Sequence, residues 1–258
     1  MTQLATTTTD SQLRTELLPE LVARLEHAFN DRLVSVILYG SAAPGGSADR
    51  LSDFNILCVL KEVTLREIAD GESVLAWWER EGQHAPLLMG EHELWHAVDS
   101  FPMEFRDMRD LHKVLYGIDV ISDLPLDTRH YRAQVEHELR AKLLRLRQRG
   151  ACLYSKPEEL LALCLKSVST FCVLGRHALL LAESDAPTAR RGIVMRLGHI
   201  AGLNTRPFEI LLDLRTQEGT HVFKDISGGV HQLFAEYLEA TGTLVRFVDS
   251  LSGSQKKH

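Results

Sequence analysis

Apolar positions along the chain change their period once, and that change divides it in two. Between Leu17 and about Asp123, short apolar runs of strand length alternate with longer amphipathic stretches. From Asp127 onward only the helical period remains. In the first part Val34, Val36, Ile37 and Leu38 form a β-branched run that stops at Gly40-Ser41, and Ile56 to Leu60 form a second apolar run. Both suit buried strands, over 34–40 and 54–60. Further strands are expected over 86–89 and 103–108, with helices over 17–29, 65–81 and 91–99. The second part predicts helices near 128–149, 157–183, 187–203, 206–217 and 225–251. The expected fold class is α+β: a mixed sheet with flanking helices over 14–124, then an all-α helical bundle over 125–252, joined near Leu124-Pro125.

On the first helix of the second part, Val135, Leu139, Leu143 and Leu146 make an apolar stripe, with Lys142, Arg145 and Arg149 beside it. That basic strip reads either as a solvated face or as one that meets an anionic ligand in a cleft between the two parts. The stretch Leu160 to Ala182 approaches membrane-spanning length, but Lys166, Arg176 and His177 interrupt it. It is read as a central bundle helix, so no membrane partner is expected. Met1 to Ser11 lacks the regions of a signal peptide and reads as a flexible lead-in, and Ser252 to His258 as a polar tail.

Composition narrows the class only slightly. A net charge of −6 supplies no global basic field, so nucleic acid is not indicated as a partner. Cys58, Cys152, Cys164 and Cys172 sit in apolar contexts without a Cys-x-x-Cys pair. They read as buried small residues in a reducing compartment, which implies the cytoplasm.

Chemistry concentrates around Leu38-Tyr39-Gly40-Ser41 and Asp53-Phe54-Asn55. A backbone N–H beside a glycine can approach a phosphate closely, and a serine hydroxyl adds a donor to the same oxygens. Side chains alternate along a strand, so Asp53 and Asn55 project from one face toward whatever the Gly-Ser loop cradles. Oxygen ligands so placed suit Mg²⁺ with a substrate phosphate.

With these segments in order, the chain resembles the polymerase-β-type nucleotidyltransferase superfamily, which pairs a hydrophobic-Gly-Ser turn with Asp-x-Asp or Asp-x-Glu on the next strand. The resemblance covers roughly residues 33 to 150. It implies transfer of a nucleoside monophosphate from a nucleoside triphosphate to a hydroxyl acceptor, with Gly40 and Ser41 binding the nucleotide. It also implies a third carboxylate on a later strand, for which Glu104 in Phe101-Pro102-Met103-Glu104-Phe105 is the candidate. Asp53, Asn55 and Glu104 are then the catalytic and metal-binding set. Asn55 departs from the pattern: its carbonyl can ligate a cation, but without charge or bidentate grip. The metal site is weakened accordingly, and a catalytically inactive nucleotide-binding or partner-binding module on the same fold is the alternative.

A remote alternative is a zinc hydrolase, because His92-Glu93-Leu94-Trp95-His96 matches the H-E-x-x-H pattern. That chemistry needs a third ligand, and Asp99 and Pro102 stand where one continuation of the motif would have Gly and His.

Overall fold

The computed structural model describes residues 3–44, 54–126, 130–216 and 229–251, the side chains of residues 3–15, Ser41 and Thr216 excepted. The chain divides into two compact units, Met1–Asp127 and Thr128–His258. The fold is α+β, a mixed sheet with helices followed by a helical region.

The first unit runs α1 (Gln3–Phe29), β1 (Leu33–Tyr39), β2 (Asn55–Leu60), α2 (Leu65–Arg80), β3 (Leu87–Gly90), α3 (Glu91–Ala97), α4 (Pro102–Asp110) and β4 (His112–Gly117). Its sheet has the order β3-β2-β1-β4. β1 is antiparallel to both β2 and β4, while β2 and β3 are parallel. Both faces of β1 and β2 are buried, which is why their sequences read as continuous apolar runs. Val36, Leu38, Ile56, Cys58 and Leu60 pack under Leu21, Leu25 and Phe29 of α1 and Val74 and Trp78 of α2. Ile37, Leu57 and Val59 face the other way, under Leu94 of α3, Phe105 and Met108 of α4, and the Val120–Leu124 segment.

One clip joins α1 to α2. Thr64 caps α2 in a capping box, its hydroxyl accepting from Arg66 N–H while Glu67 accepts from the Thr64 backbone and hydroxyl. Arg32, just past α1, donates to Glu67, to Asp70 at 2.6 Å, and to the carbonyls of Ala28 and Phe29 at 3.2 Å each. Every guanidinium nitrogen of Arg32 is thereby engaged, and the last turn of α1 gains the partners that its terminal carbonyls need.

The second unit comprises α5 (Tyr131–Leu153), α6 (Pro157–Ala182), α7 (Arg190–Ala201), α8 (Arg206–Thr216) and α9 (Gly229–Ser250). α6 is the central helix, touching α5, α7, α8 and α9, and its second half from Leu174 to Leu179 is buried all round. Tyr237 of α9 is fully buried between Phe171 and Phe208, and its hydroxyl meets Ser167 at 3.0 Å. Gly150 lets α5 and α9 close together: a Cβ there would stand 2.1 Å from the ring of Phe234. Val135, Leu139, Leu143 and Leu146 are buried as the stripe requires, while Arg145 and Arg149 are exposed.

Three expectations are corrected. Residues 103–108 are not a strand but lie in α4, because Pro102, Phe105 and Met108 recur at helical spacing, Pro102 occupies the first turn, and Arg106 pairs with Asp110 one turn on at 3.2 Å. The strand follows as β4. The stretch read as a flexible lead-in is helical from Gln3, as the start of α1. Cys152 is exposed, whereas Cys58, Cys164 and Cys172 are buried and burial pushes their thiols up to about 12. The polar tail at 252–258 lies outside the described residues. Among the described residues no helix is long and apolar enough to cross a membrane.

Gly150→Ala should destabilise the protein by about 1–3 kcal/mol in chemical denaturation, since Phe234 must leave its seat. The clip predicts a pH dependence as well. The Thr64 hydroxyl, then Arg32, lower the Glu67 carboxyl from 4.5 to about 2, so its contribution is complete above 4.5 and fades as pH falls toward 2. Glu67→Gln should lower the thermal midpoint at neutral pH and flatten the acid side of its pH profile.

Candidate functional site

The candidate site is the corner where β1 ends. Tyr39, its last residue, is in register with Asn55 on one side and His112 on the other, so the three form a row across β2, β1 and β4. Directly paired residues point to one face, and this row shares the face of Ile37 and Leu57. Beyond Tyr39 the chain turns at Gly40, whose φ of +77° is left-handed. Its N–H donates to the Leu111 carbonyl at 2.9 Å, its carbonyl accepts from Ala43 N–H at 3.0 Å, and Ala43 plugs the loop into the core under α1 and α2. The corner is therefore fastened on both sides of the glycine.

Asn55 lies over this corner. Its carboxamide nitrogen is 3.1 Å from where a Gly40 Cβ would stand, and the half-buried side chain makes no hydrogen bond among the described residues. Phe54, pointing to the opposite face, fixes the start of β2: its N–H donates to the buried Gln83 side chain at 3.0 Å and its ring stacks on Trp78. Asp53, two residues before Asn55, and the Ser41 side chain lie outside what is described.

Glu104 sits on α4 and is exposed, one residue before Phe105, which α4 buries under the Asn55 face. Its charge reaches the row: burial first, and then the negative charge of Glu104, push the Tyr39 phenol up. Glu104 is thus carried on a helix rather than on a strand. The strands themselves, Leu33–Tyr39, Asn55–Leu60, Leu87–Gly90 and His112–Gly117, contain no Asp or Glu.

Sequence reasoning missed Tyr39, Gln83, His112 and Asp119. His112 contacts the Arg109 carbonyl through Nδ1 at 3.3 Å and Asp119 through Nε2 at 3.2 Å, tying β4 to the end of α4. Burial opposes ionisation of Asp119, but hydrogen bonds from Ser122, Ile121 and His112 outweigh it and hold the carboxyl well below the usual range. Tyr39 was findable as the polar residue immediately before the glycine turn. No local pattern marks Gln83 or Asp119, whose roles depend on residues distant in sequence or on a loop conformation.

The histidine motif is a separate surface feature. His92 and His96 face each other one turn apart on exposed α3, with Nε2 atoms 3.2 Å apart. Glu93 accepts from Gly90 N–H and so caps the helix instead of standing ready as a base. Among the described residues no group of three His, Cys, Asp or Glu side chains could hold a metal ion.

No protein-family model matches the chain, and no curated protein matches it in sequence. Its structure is similar to that of spectinomycin adenyltransferase AAD(9) from Enterococcus faecialis, with ATP and spectinomycin, at a TM-score of 0.55 and 11% identity over 89% of this chain and 98% of that one. The chain has the polymerase-β-type nucleotidyltransferase fold.

Gly40→Ala should cost about 1–2 kcal/mol in stability from the left-handed backbone alone, measurable by chemical denaturation. It should also displace the Asn55 carboxamide, seen as a shift of its side-chain NH₂ signals in NMR.

Proposed function

We propose that the chain is a nucleotidyltransferase-like protein that seats a nucleoside triphosphate at the Gly40-Ser41 corner and passes its nucleoside monophosphate to a hydroxyl acceptor. The observation that carries this reading is the corner itself, a left-handed glycine at the end of the central strand under a carboxamide from the next strand that has no hydrogen bond among the described residues. It occurs in the fold of an adenyltransferase whose structure holds ATP and spectinomycin.

In this scheme the backbone at Gly40 and the Ser41 hydroxyl take phosphate oxygens. The acceptor oxygen attacks the α-phosphorus and a new P–O bond forms. The bond to the bridging oxygen breaks, and pyrophosphate leaves with the electron pair. The acceptor's proton passes to Glu104, a carboxylate on the same side of the sheet as Asn55. Asp53 and Glu104, with the Asn55 carbonyl, would hold one Mg²⁺, whose charge offsets that of the triphosphate. Asn55 contributes an oxygen but no charge, so the grip on a second cation is weak.

A second reading, a nucleotide-binding or partner-binding module without turnover, draws on Asn55, a neutral side chain where the resemblance implies a carboxylate. Calorimetric titration with ATP and Mg²⁺, run beside transfer of labelled triphosphate to hydroxyl acceptors, separates the two. We expect saturable binding by the wild type, a loss of about tenfold or more in Asp53→Ala, and tighter metal binding in Asn55→Asp. Transfer by the wild type supports the enzyme, and a gain of transfer only in Asn55→Asp supports the module. No binding by any variant removes the site.

A further inference from the structure

The molecule has a second feature with ligand-binding chemistry, on the far face of the sheet. α1 and α2 cover the face of Ile56 and Cys58, opposite to Asn55, and between them lies a shallow surface cavity of about 640 Å³ that is widely open to solvent. Its charged and polar lining includes Arg24, His27, Arg32, Arg66, Asp70 and Ser73. Three guanidiniums and Asp70 stand in the lining, and Glu20 and Glu67 behind the arginines balance the remaining charge, so the pull on an anion rests on guanidinium nitrogens that have no hydrogen bond among the described residues.

The arginines differ in what they have left to give. Arg32 is fully engaged in the clip between α1 and α2 and acts as a fixed strut. Arg24 lies over Trp77, its Cζ 4.1 Å from the ring centroid, and directs Nε and one terminal nitrogen to Glu20 at 3.1 and 2.7 Å. Its other terminal nitrogen makes no hydrogen bond among the described residues. Arg66 approaches Asp70 only through Nε, at 3.7 Å, and both of its terminal nitrogens are similarly unengaged. The carboxylates Glu20 and Glu67 therefore orient the arginines without lining the cavity themselves.

We propose that this cavity binds a small phosphate-bearing anion, whose dianionic phosphate is taken by Arg24 and Arg66, with His27 and Ser73 as further donors. Guanidinium groups match phosphate oxygens with paired N–H donors, and two of them suit a double charge better than the single charge of a carboxylate. Both arginines are partly exposed, so the attraction is screened and binding weakens as salt is raised. The site is independent of the nucleotide reading, because its residues lie on the other face of the sheet from Asn55.

The test is an amide NMR titration of the full chain with inorganic pyrophosphate, against sodium acetate at matched ionic strength. Saturable shifts are expected for pyrophosphate at residues 23–32 and 66–74 and not for acetate. The double variant Arg24→Gln/Arg66→Gln should lose about tenfold in affinity, while Asp53→Ala retains it. Should the double variant fail to fold, Arg66→Gln alone, at the more exposed position, should still weaken binding. Pyrophosphate binding no better than acetate, unchanged affinity in the arginine variants, or loss of binding in Asp53→Ala would each overturn the proposal.

Discussion

The antiparallel pairing of β1 with both neighbours is the constraint on which the candidate site depends. Register leaves no freedom along a strand, since a slip of one residue turns every side chain to the other face. Because Tyr39 pairs at once with Asn55 and His112, the last row of the sheet is fixed across three strands. Gly40 then turns the chain in a conformation that other residues adopt only at a cost, directly under the Asn55 carboxamide. The apolar layers on both sides hold β1 in place, so the geometry of the corner follows from burial several residues away.

Electrostatics at that corner include a carboxylate carried on a helix. A carboxylate on a strand is positioned by the sheet, whereas Glu104 is positioned by how α4 seats Phe105 and Met108. The tie from His112 to the Arg109 carbonyl and Asp119 fixes the end of that helix against β4. Any chemistry by Glu104 therefore rests on helix packing as well as on pleat geometry. Asn55 is neutral and brings no negative charge of its own to the corner.

The sequence carried the strands of the sheet centre and the helices of the second unit clearly, because burial on two faces or helical period leaves a strong imprint. It misled at 103–108, where Met103 and Phe105 fit an alternating pattern, whereas Phe105 and Met108 fit only the helical one. Pro102 and the Arg106–Asp110 pair are the signals that decide for the helix. β4 was unmarked because it is an edge strand whose residues are mostly half-buried, giving little contrast between its faces. Of the candidate corner, the turn at Gly40 and the start of the next strand near Asn55 were readable from turn chemistry and period. The contributions of Gln83 and Asp119 were not, since they come from contacts made only on folding.

The most direct measurement is an amide and side-chain NMR titration of the isotopically labelled chain with ATP and Mg²⁺. If the corner seats the nucleotide, the largest shifts fall on Gly40, Tyr39 and the Asn55 side-chain NH₂, and they saturate together. Saturable shifts confined to α1 and α2, with the signals of Gly40 and Asn55 unmoved, would contradict the assignment.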